Sequence, residues 1–206
     1  MDKLDTKSTG ILVIDMQNGF CHDRGALAQA GVDMSRQKAI IPRVKQLVQL
    51  GRRGGFPVFL SKQEHYREDA ARSRHRIPTH LEKRNIFPCL KGTWDEEIVE
   101  DLKAELKPQD EIFIKHRSSC FFDTTLETKL RMRGVQTLIV AGVATNYCVE
   151  STIRDAYARD YDLYVVEDCV AGSFPDLHDA TLKNVRIYYG QVVSLDELSK
   201  MLPEPM

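Results

Sequence analysis

The sequence predicts an α/β fold in which an open, doubly wound, mainly parallel sheet of about five or six strands carries helices on both faces. Short apolar runs alternate along the chain with longer segments of helical periodicity. The apolar runs lack polar alternation, which is typical of strands that are covered on both faces. With 206 residues and 42% hydrophobic side chains, the chain fits a single domain, residues 1–206, with one substantial core.

The apolar runs and the periodic segments give the order of the elements. Helical spacing between stop signals predicts helices over residues 33–50, 94–106, 122–133, 147–159, 176–184 and 195–201. The predicted strands are residues 10–15, 56–60, 111–115, 137–141 and 163–166, and the pattern allows a sixth at 185–188.

The segment 63–92 departs from this pattern. It is highly charged, contains two prolines and shows no clean period, so we interpret it as an excursion from the core that serves as a lid or a subunit contact. His75 and His80 lie five residues apart within an Arg-rich part of it, which is more typical of a solvated surface than of a metal site.

Composition argues against several classes of function. A formal net charge of -1 gives no electrostatic reason to expect nucleic acid or a membrane surface as a partner. The N-terminal residues lack the apolar core of a signal peptide and no stretch approaches the ~20 apolar residues of a membrane span, so we expect a cytoplasmic protein. No glycine-rich phosphate loop follows a strand, and the five scattered cysteines form no C-x-x-C pair. We therefore expect no cofactor and no metal.

Three predicted strands end in residues that carry chemistry. Asp15 and Lys115 close the first and third strands, and Cys148 follows the fourth strand after a short polar turn. The carboxyl ends of parallel strands meet at one edge of the sheet, where ligands bind in such folds, so these three side chains are candidates for one site. Each also has a structural interpretation, since Cys148 can pack in a core, Asp15 can form a turn and Lys115 can be solvated.

Together the three residues would suit nucleophilic catalysis. A nearby ammonium and a helix N-terminus favour the thiolate of Cys148, and the carboxylate of Asp15 can take the thiol proton and pass it to a leaving amine. Backbone N–H groups of the turn before Cys148 could hold an oxyanion.

The chain also resembles the isochorismatase-like cysteine hydrolases. The resemblance is carried by ILVIDMQNGF, GTWDEEI, the long block from IKHRSSCFFD to VAGVATNYCVESTIRDA, and YDLYVVEDCVAG. It implies that Asp15, Lys115 and Cys148 form the family's triad. It also implies a cis peptide within the G-V-A-T turn, at Val143–Ala144, and an oxyanion hole made by the amides of Ala144 and Cys148.

The resemblance further indicates the class of reaction. True isochorismatases often lack the cysteine, so its presence favours amide hydrolysis. LSKQEHYRED lacks the D-x-H metal pattern of nicotinamidases, whereas ATNYCVEST and the K-x-R-x-S-x-F pattern are similar to enzymes that hydrolyse ureido and carbamoyl compounds. The main hypothesis is therefore a small-amide hydrolase that releases ammonia through a thioester. The alternatives are an isochorismatase, a nicotinamidase-like amidase and a non-catalytic binding protein.

The expected partner is a small amide or ureide, and the family resemblance implies a homodimer or homotetramer. Candidate substrate-binding residues lie in the loop after the first strand, at the start of the 94–106 segment and near the triad, although each of them can also be core or loop packing. They are Gln17, Asn18, Phe20, Trp94, Arg117, Phe121 and Tyr147.

Overall fold

A computed structural model describes residues 3–70, 77–78, 82–83 and 85–202 of the chain. Its six strands are β1 (Thr9–Ile14), β2 (Val58–Gln63), β3 (Glu111–Lys115), β4 (Thr137–Val143), β5 (Asp162–Ala171) and β6 (Gln191–Val193). They form one sheet in the order β3-β2-β1-β4-β5-β6, and every neighbouring pair is parallel. The predicted doubly wound α/β fold is confirmed.

Nine α-helices whose bounds lie wholly within the described residues connect or flank the strands. They are α1 (Asn18–Cys21), α2 (Ala26–Gln29), α3 (Ser35–Ala39), α4 (Ile41–Arg53), α5 (Glu100–Lys103), α6 (Leu126–Met132), α7 (Glu150–Tyr157), α8 (Pro175–Asn184) and α9 (Leu195–Met201). None of the helices in the described part of the chain is long and apolar enough to pass through a bilayer.

Both faces of the central strand β1 are buried. Ile11 and Val13 pack with α4, α5 and α9, whereas Leu12 and Ile14 pack with α6 and α7 on the opposite face. Successive side chains of a strand point to opposite faces, so a strand that is covered twice has no polar positions. This explains the unbroken apolar run in the sequence.

The predicted helix over 94–106 is wrong in its first half. Trp94–Glu96 is a single 3₁₀ turn, and the α-helix begins only at Glu100. Between them the chain is extended, because Ile98 pairs with Gln17 and the amide of Val99 donates to the carbonyl of Met16 over 3.0 Å. Bonds to a distant segment override the local helical spacing.

The segment over 33–50 forms two helices, α3 and α4, which meet at Ile40. α4 runs through Gly51 and ends at Arg53, three residues beyond the predicted end of the helix. Gly51 makes room for the core, since a Cβ atom there would lie 1.9 Å from Cδ1 of Ile11.

Two further helices begin later than predicted. In the 122–133 segment, Asp123 has a φ of 53° and the hydroxyl of Thr124 accepts from the amide of Leu126, where α6 begins. In the 147–159 segment, a π-helical turn over Thr145–Val149 precedes α7.

The strand suggested at 185–188 is also wrong. Val185–Tyr189 is a π-helical turn that continues α8, with Val185 buried and Ile187 and Tyr188 exposed. The sixth strand follows at Gln191–Val193. Gly190 permits the close approach of the two segments, since a Cβ atom there would lie 2.3 Å from the carbonyl oxygen of Leu163.

The predicted excursion begins later than residue 63. Gln63 ends β2, and the amide of Glu64 donates to the carbonyl of Lys115 over 3.0 Å. His65 is buried and pairs with Leu90 in a parallel bridge. Much of the rest of the segment, including His75 and His80, lies outside the described residues.

Candidate active site

The carboxyl edge of the sheet brings Asp15, Lys115 and Cys148 together. Asp15 directly follows β1, Lys115 is the last residue of β3, and Cys148 lies in the π-helical turn after β4. Nζ of Lys115 lies 2.7 Å from Oδ2 of Asp15 and 3.4 Å from Sγ of Cys148. The structure therefore places the three residues as strand topology predicts.

Asp15 is fully buried in a left-handed backbone conformation with a φ of 52°. The hydroxyl of Ser61, on β2, donates to its Oδ1 over 2.6 Å and accepts from its amide over 3.1 Å. Ser61 thus fixes the carboxylate on one side, which leaves Oδ2 for Lys115.

Lys115 is also fully buried, and its ammonium is surrounded by acceptors. Besides Asp15 and Cys148, it donates to Oε1 of Gln63 over 2.7 Å and to the carbonyl of Arg117 over 3.0 Å. Burial alone would lower its pKa, but the carboxylate of Asp15 is the largest of the effects that raise it, and the pKa lies above its ordinary value. Lys115 therefore stays charged.

The same environment acts differently on Cys148. Burial raises the pKa of its thiol; the ammonium of Lys115 lowers it and the carboxylate of Asp15 raises it, and the result lies above the ordinary value. The direction of this shift favours a neutral resting thiol, whereas the sequence predicts a thiolate at a helix N-terminus. A base lies in the same buried cluster, since Nζ of Lys115 contacts both Oδ2 of Asp15 and Sγ of Cys148.

The turn that carries Cys148 is held from several directions. The Val143–Ala144 peptide bond is cis, as the resemblance implies. The hydroxyl of Thr152 donates to the carbonyl of Cys148 over 2.7 Å and accepts from the amide of Cys120 over 3.0 Å. Nδ1 of His178 lies 2.8 Å from Oγ1 of Thr145, at the start of the turn.

A cavity of about 360 Å³ opens above Cys148 and Asp15. Ala144 also lines it, and so do three of the predicted substrate-binding residues, Phe20, Arg117 and Tyr147. Arg117 does not present a free charge to the cavity, because its guanidinium pairs with Asp69 over 3.1 Å.

The other four predicted substrate-binding residues lie outside this cavity and have structural contacts. Gln17 is fully buried, and its side-chain amide bonds to both backbone groups of Gln63 and to the carbonyl of Glu96. Asn18 donates to the carbonyl of Trp94, and Trp94 packs against His22 and Arg24. Phe121 belongs to the core, and its ring packs at a tilt against the ring of Tyr161.

Several lining residues have no counterpart in the sequence-based prediction. They are Leu27, Val32, Gln37, Gln63, His65, Pro88, Ser118, Val143, Asn146, Ser173 and Phe174. Gln63 and Ser173 could have been found, because Gln63 ends one strand and Ser173 follows another at the same edge of the sheet. Gln37 lies in the short helix α3 and gives no local signal.

The cavity contains one histidine with an assigned tautomer. Nδ1 of His65 lies 2.5 Å from the carbonyl oxygen of Pro88, which can only accept, so Nδ1 carries a hydrogen. Within the described residues, no group of three or more His, Cys, Asp and Glu side chains could hold a metal ion.

Comparison with known proteins agrees with this geometry. The Isochorismatase domain model matches residues 9–197, which is most of the chain. The chain belongs to the isochorismatase family. One curated relative, ureidoacrylate amidohydrolase RutB of Methylobacterium radiotolerans, is 33% identical over 98% of this chain and 82% of its own length.

Two solved members of this structural class are similar over nearly the whole chain. A cysteine hydrolase from Pseudomonas syringae pv. phaseolicola superimposes with a TM-score of 0.80 and 26% identity, covering 98% of this chain and 95% of that one. An N-carbamoylsarcosine amidase from Thermoplasma acidophilum gives a TM-score of 0.74 and 26% identity, covering 91% and 96%. The chain is therefore a hydrolase of the isochorismatase family. Its curated relatives are amidohydrolases, which act on C–N bonds.

Proposed function

We propose that this isochorismatase-family hydrolase cleaves the C–N bond of a small linear amide, ureide or carbamoyl compound and releases ammonia. The observation that carries the proposal is the buried contact of Lys115 with both Cys148 and Asp15, the last two of which line a cavity. The printed activities of the relatives, a ureidoacrylate amidohydrolase and an N-carbamoylsarcosine amidase, support the same class.

Acylation begins from the neutral thiol. Sγ of Cys148 attacks the substrate carbonyl carbon while Asp15 takes the thiol proton, and the carbonyl oxygen becomes an oxyanion at the backbone N–H groups of Ala144 and Cys148. When the tetrahedral intermediate collapses, its C–N bond breaks and Asp15 returns the proton to the departing nitrogen. Ammonia leaves and an acyl thioester remains on Cys148.

In deacylation, water is the nucleophile and the sulfur of Cys148 is the leaving group. Asp15 takes a proton from water, whose oxygen attacks the thioester carbon, and the C–S bond breaks. The proton on Asp15 returns to sulfur, and the acid product leaves. Lys115 stays an ammonium throughout; it is paired with Asp15, and its charge favours the ionised form of Cys148.

An ammonia-release screen tests the proposal. The panel contains linear ureides, N-carbamoyl amino acids and nicotinamide, and isochorismate is followed separately by pyruvate release. Replacing Cys148→Ala should lower kcat by at least about 10³-fold, whereas Cys169→Ala, a buried cysteine on β5 outside the cavity lining, should retain turnover.

Three results would contradict the proposal. Ammonia release that survives Cys148→Ala would remove the thioester mechanism, and pyruvate release without need of Cys148 would indicate an isochorismatase. No product from any substrate would indicate a binding protein. The proposed homodimer or homotetramer is measured separately by sedimentation equilibrium.

A further inference from the structure

The apolar part of the cavity lining comes from two places in the chain. Phe20, Leu27 and Val32 belong to the segment that follows β1, and Phe174 follows β5. None of the four residues is fully buried, and Phe174 is 45% exposed. Apolar side chains that keep exposed surface in a concave cavity are typical of a binding site, because a ligand can remove that surface from water. These four residues form the apolar wall.

The segment 18–37, which carries most of the apolar wall, is fixed on one side to the end of β2. The carboxylate of Asp95 accepts from the amide of Ala26 over 3.1 Å and from the amide of Cys89 over 2.9 Å. The carbonyl of Cys89 in turn accepts from the amide of His65, which follows β2, over 3.0 Å. This part of the segment therefore lies on the β2 side of the cavity.

The same segment reaches the β5 side at its other end. Nε2 of Gln37 donates to the hydroxyl of Ser173 over 2.6 Å, and Ser173 follows β5. In the sheet, β1 and β4 lie between β2 and β5. The segment 18–37 thus crosses above the ends of β1 and β4, which lead to Asp15 and to the turn of Cys148. The apolar wall is therefore placed over the reacting groups.

The carboxylate and the guanidinium of the described lining already have partners, and no lysine belongs to that lining. Arg117 pairs with Asp69 over 3.1 Å, and Asp15 pairs with Lys115 over 2.7 Å. A substrate carboxylate would have to break one of these pairs or lose its water without a cation to replace it. A substrate without charge has no such cost.

We propose that the cavity selects primary carboxamides, R–CO–NH₂, in which R is an uncharged hydrocarbon group held by the apolar wall. This inference rests on the amide hydrolysis proposed above. The amide group lies at Cys148 and Asp15, where ammonia leaves, and R extends toward Phe20, Leu27 and Phe174. A cavity of about 360 Å³, at the lower end of the usual range for ligand pockets, has room for several carbons beside the amide.

Matched primary carboxamides test the inference on the intact protein. Acetamide, butanamide and hexanamide differ only in the length of R, and kcat/KM for ammonia release should rise roughly fourfold with each added methylene. Succinamate and 4-methylpentanamide have the same shape but differ in a carboxylate against an isopropyl group. The value of kcat/KM for 4-methylpentanamide should exceed that for succinamate by at least about 100-fold, because no cation of the described lining is available to the carboxylate.

Substitutions in the apolar wall assign this preference to its residues. Phe174→Ala and Leu27→Ala each remove apolar surface, so each should lower the ratio of kcat/KM for hexanamide over acetamide roughly fivefold or more. Using the ratio cancels any general effect on the triad. Tyr188→Ala truncates an aromatic side chain that is 63% exposed and outside the cavity lining, and as the matched control it should leave the ratio unchanged.

The outcomes separate this inference from the proposed function. If unaltered protein hydrolyses amides but kcat/KM does not rise with the length of R, or if succinamate is preferred, the selection of apolar carboxamides is overturned and the amidase remains. A ratio that is unchanged in both wall variants also overturns it. If no amide of the earlier panel or of this set yields ammonia, the proposed function fails and this inference fails with it. The probes give this answer on unaltered protein even where a variant does not fold.

Discussion

At the scale of single residues, the ion pair of Lys115 and Asp15 is fully buried and joins β3 to β1 across the intervening β2. Removing one partner of such a pair leaves an uncompensated charge in the interior. We expect Lys115→Met to lower the free energy of unfolding by roughly 3–5 kcal/mol and to abolish turnover.

A double substitution separates the stability of this pair from its role in catalysis. Asp15→Asn combined with Lys115→Met removes both charges, so most of the lost stability should return while activity does not. Urea unfolding and ammonia release measure the two quantities. If the double variant is as unstable as Lys115→Met, the unpaired charge of Asp15 is not the cause of the lost stability.

Burial makes Cys148 an unusual thiol for a nucleophile. Its raised pKa means that the neutral form dominates at neutral pH and that the thiolate fraction increases as the pH rises through and beyond 9.0, the ordinary value. Without substrate, the rate of Cys148 alkylation by iodoacetamide should keep rising from about pH 6 to about pH 10. A rate that levels off near neutral pH would instead show a preformed thiolate with a lowered pKa.

At the scale of elements, the end of β4 approaches β1 closely at Gly142. Gly142 has a φ of 118°, and a Cβ atom there would lie 2.1 Å from the carbonyl oxygen of Ile14, the residue before Asp15. We expect Gly142→Ala to lower the free energy of unfolding by at least about 2 kcal/mol and to reduce kcat, because Asp15 and the Cys148 turn are displaced from each other.

Gly31 provides the matched control for that change. It also has a positive φ, 80°, but nothing lies within 4 Å of its Cβ position, so Gly31→Ala introduces backbone strain without a clash. Thermal unfolding and ammonia release of the two variants give the comparison. Equal losses of stability would mean that the contact with Ile14 is unimportant.

Elements also show why parts of the sequence were misinterpreted. The strand ends that carry Asp15, Lys115 and Cys148 could be predicted because parallel strands align their carboxyl ends. The start of the 94–106 segment could not, because the bond from Val99 to Met16 joins residues far apart in sequence. The same limit applies to Gln17, which the sequence predicts to bind substrate. Its side-chain amide binds the backbone of a neighbouring strand instead, and that partner is far away in sequence.

At the scale of the whole molecule, each side of the sheet buries its own apolar cluster. Successive side chains of β1 point to opposite sides of the sheet, so this strand contributes to both clusters. The fold class could be predicted because apolar strands and periodic helical segments repeat along the chain, and this repetition is visible in the sequence. The cavity does not, because Gln37, Ser173 and Phe174 reach it from a short helix and a loop with no periodic signal. Only the packing of α3 on the end of β5 makes Gln37 part of the site.

The placement of the triad on three strands has a consequence for how activity is regained after denaturation. Asp15, Lys115 and Cys148 are 100 and 33 residues apart along the chain, and Lys115 reaches Asp15 only once β3 has paired with β2 and β2 with β1. Such long-range pairings form slowly compared with local helices. During refolding, ammonia release should therefore lag behind the recovery of helical circular dichroism, which makes turnover a reporter of complete sheet assembly.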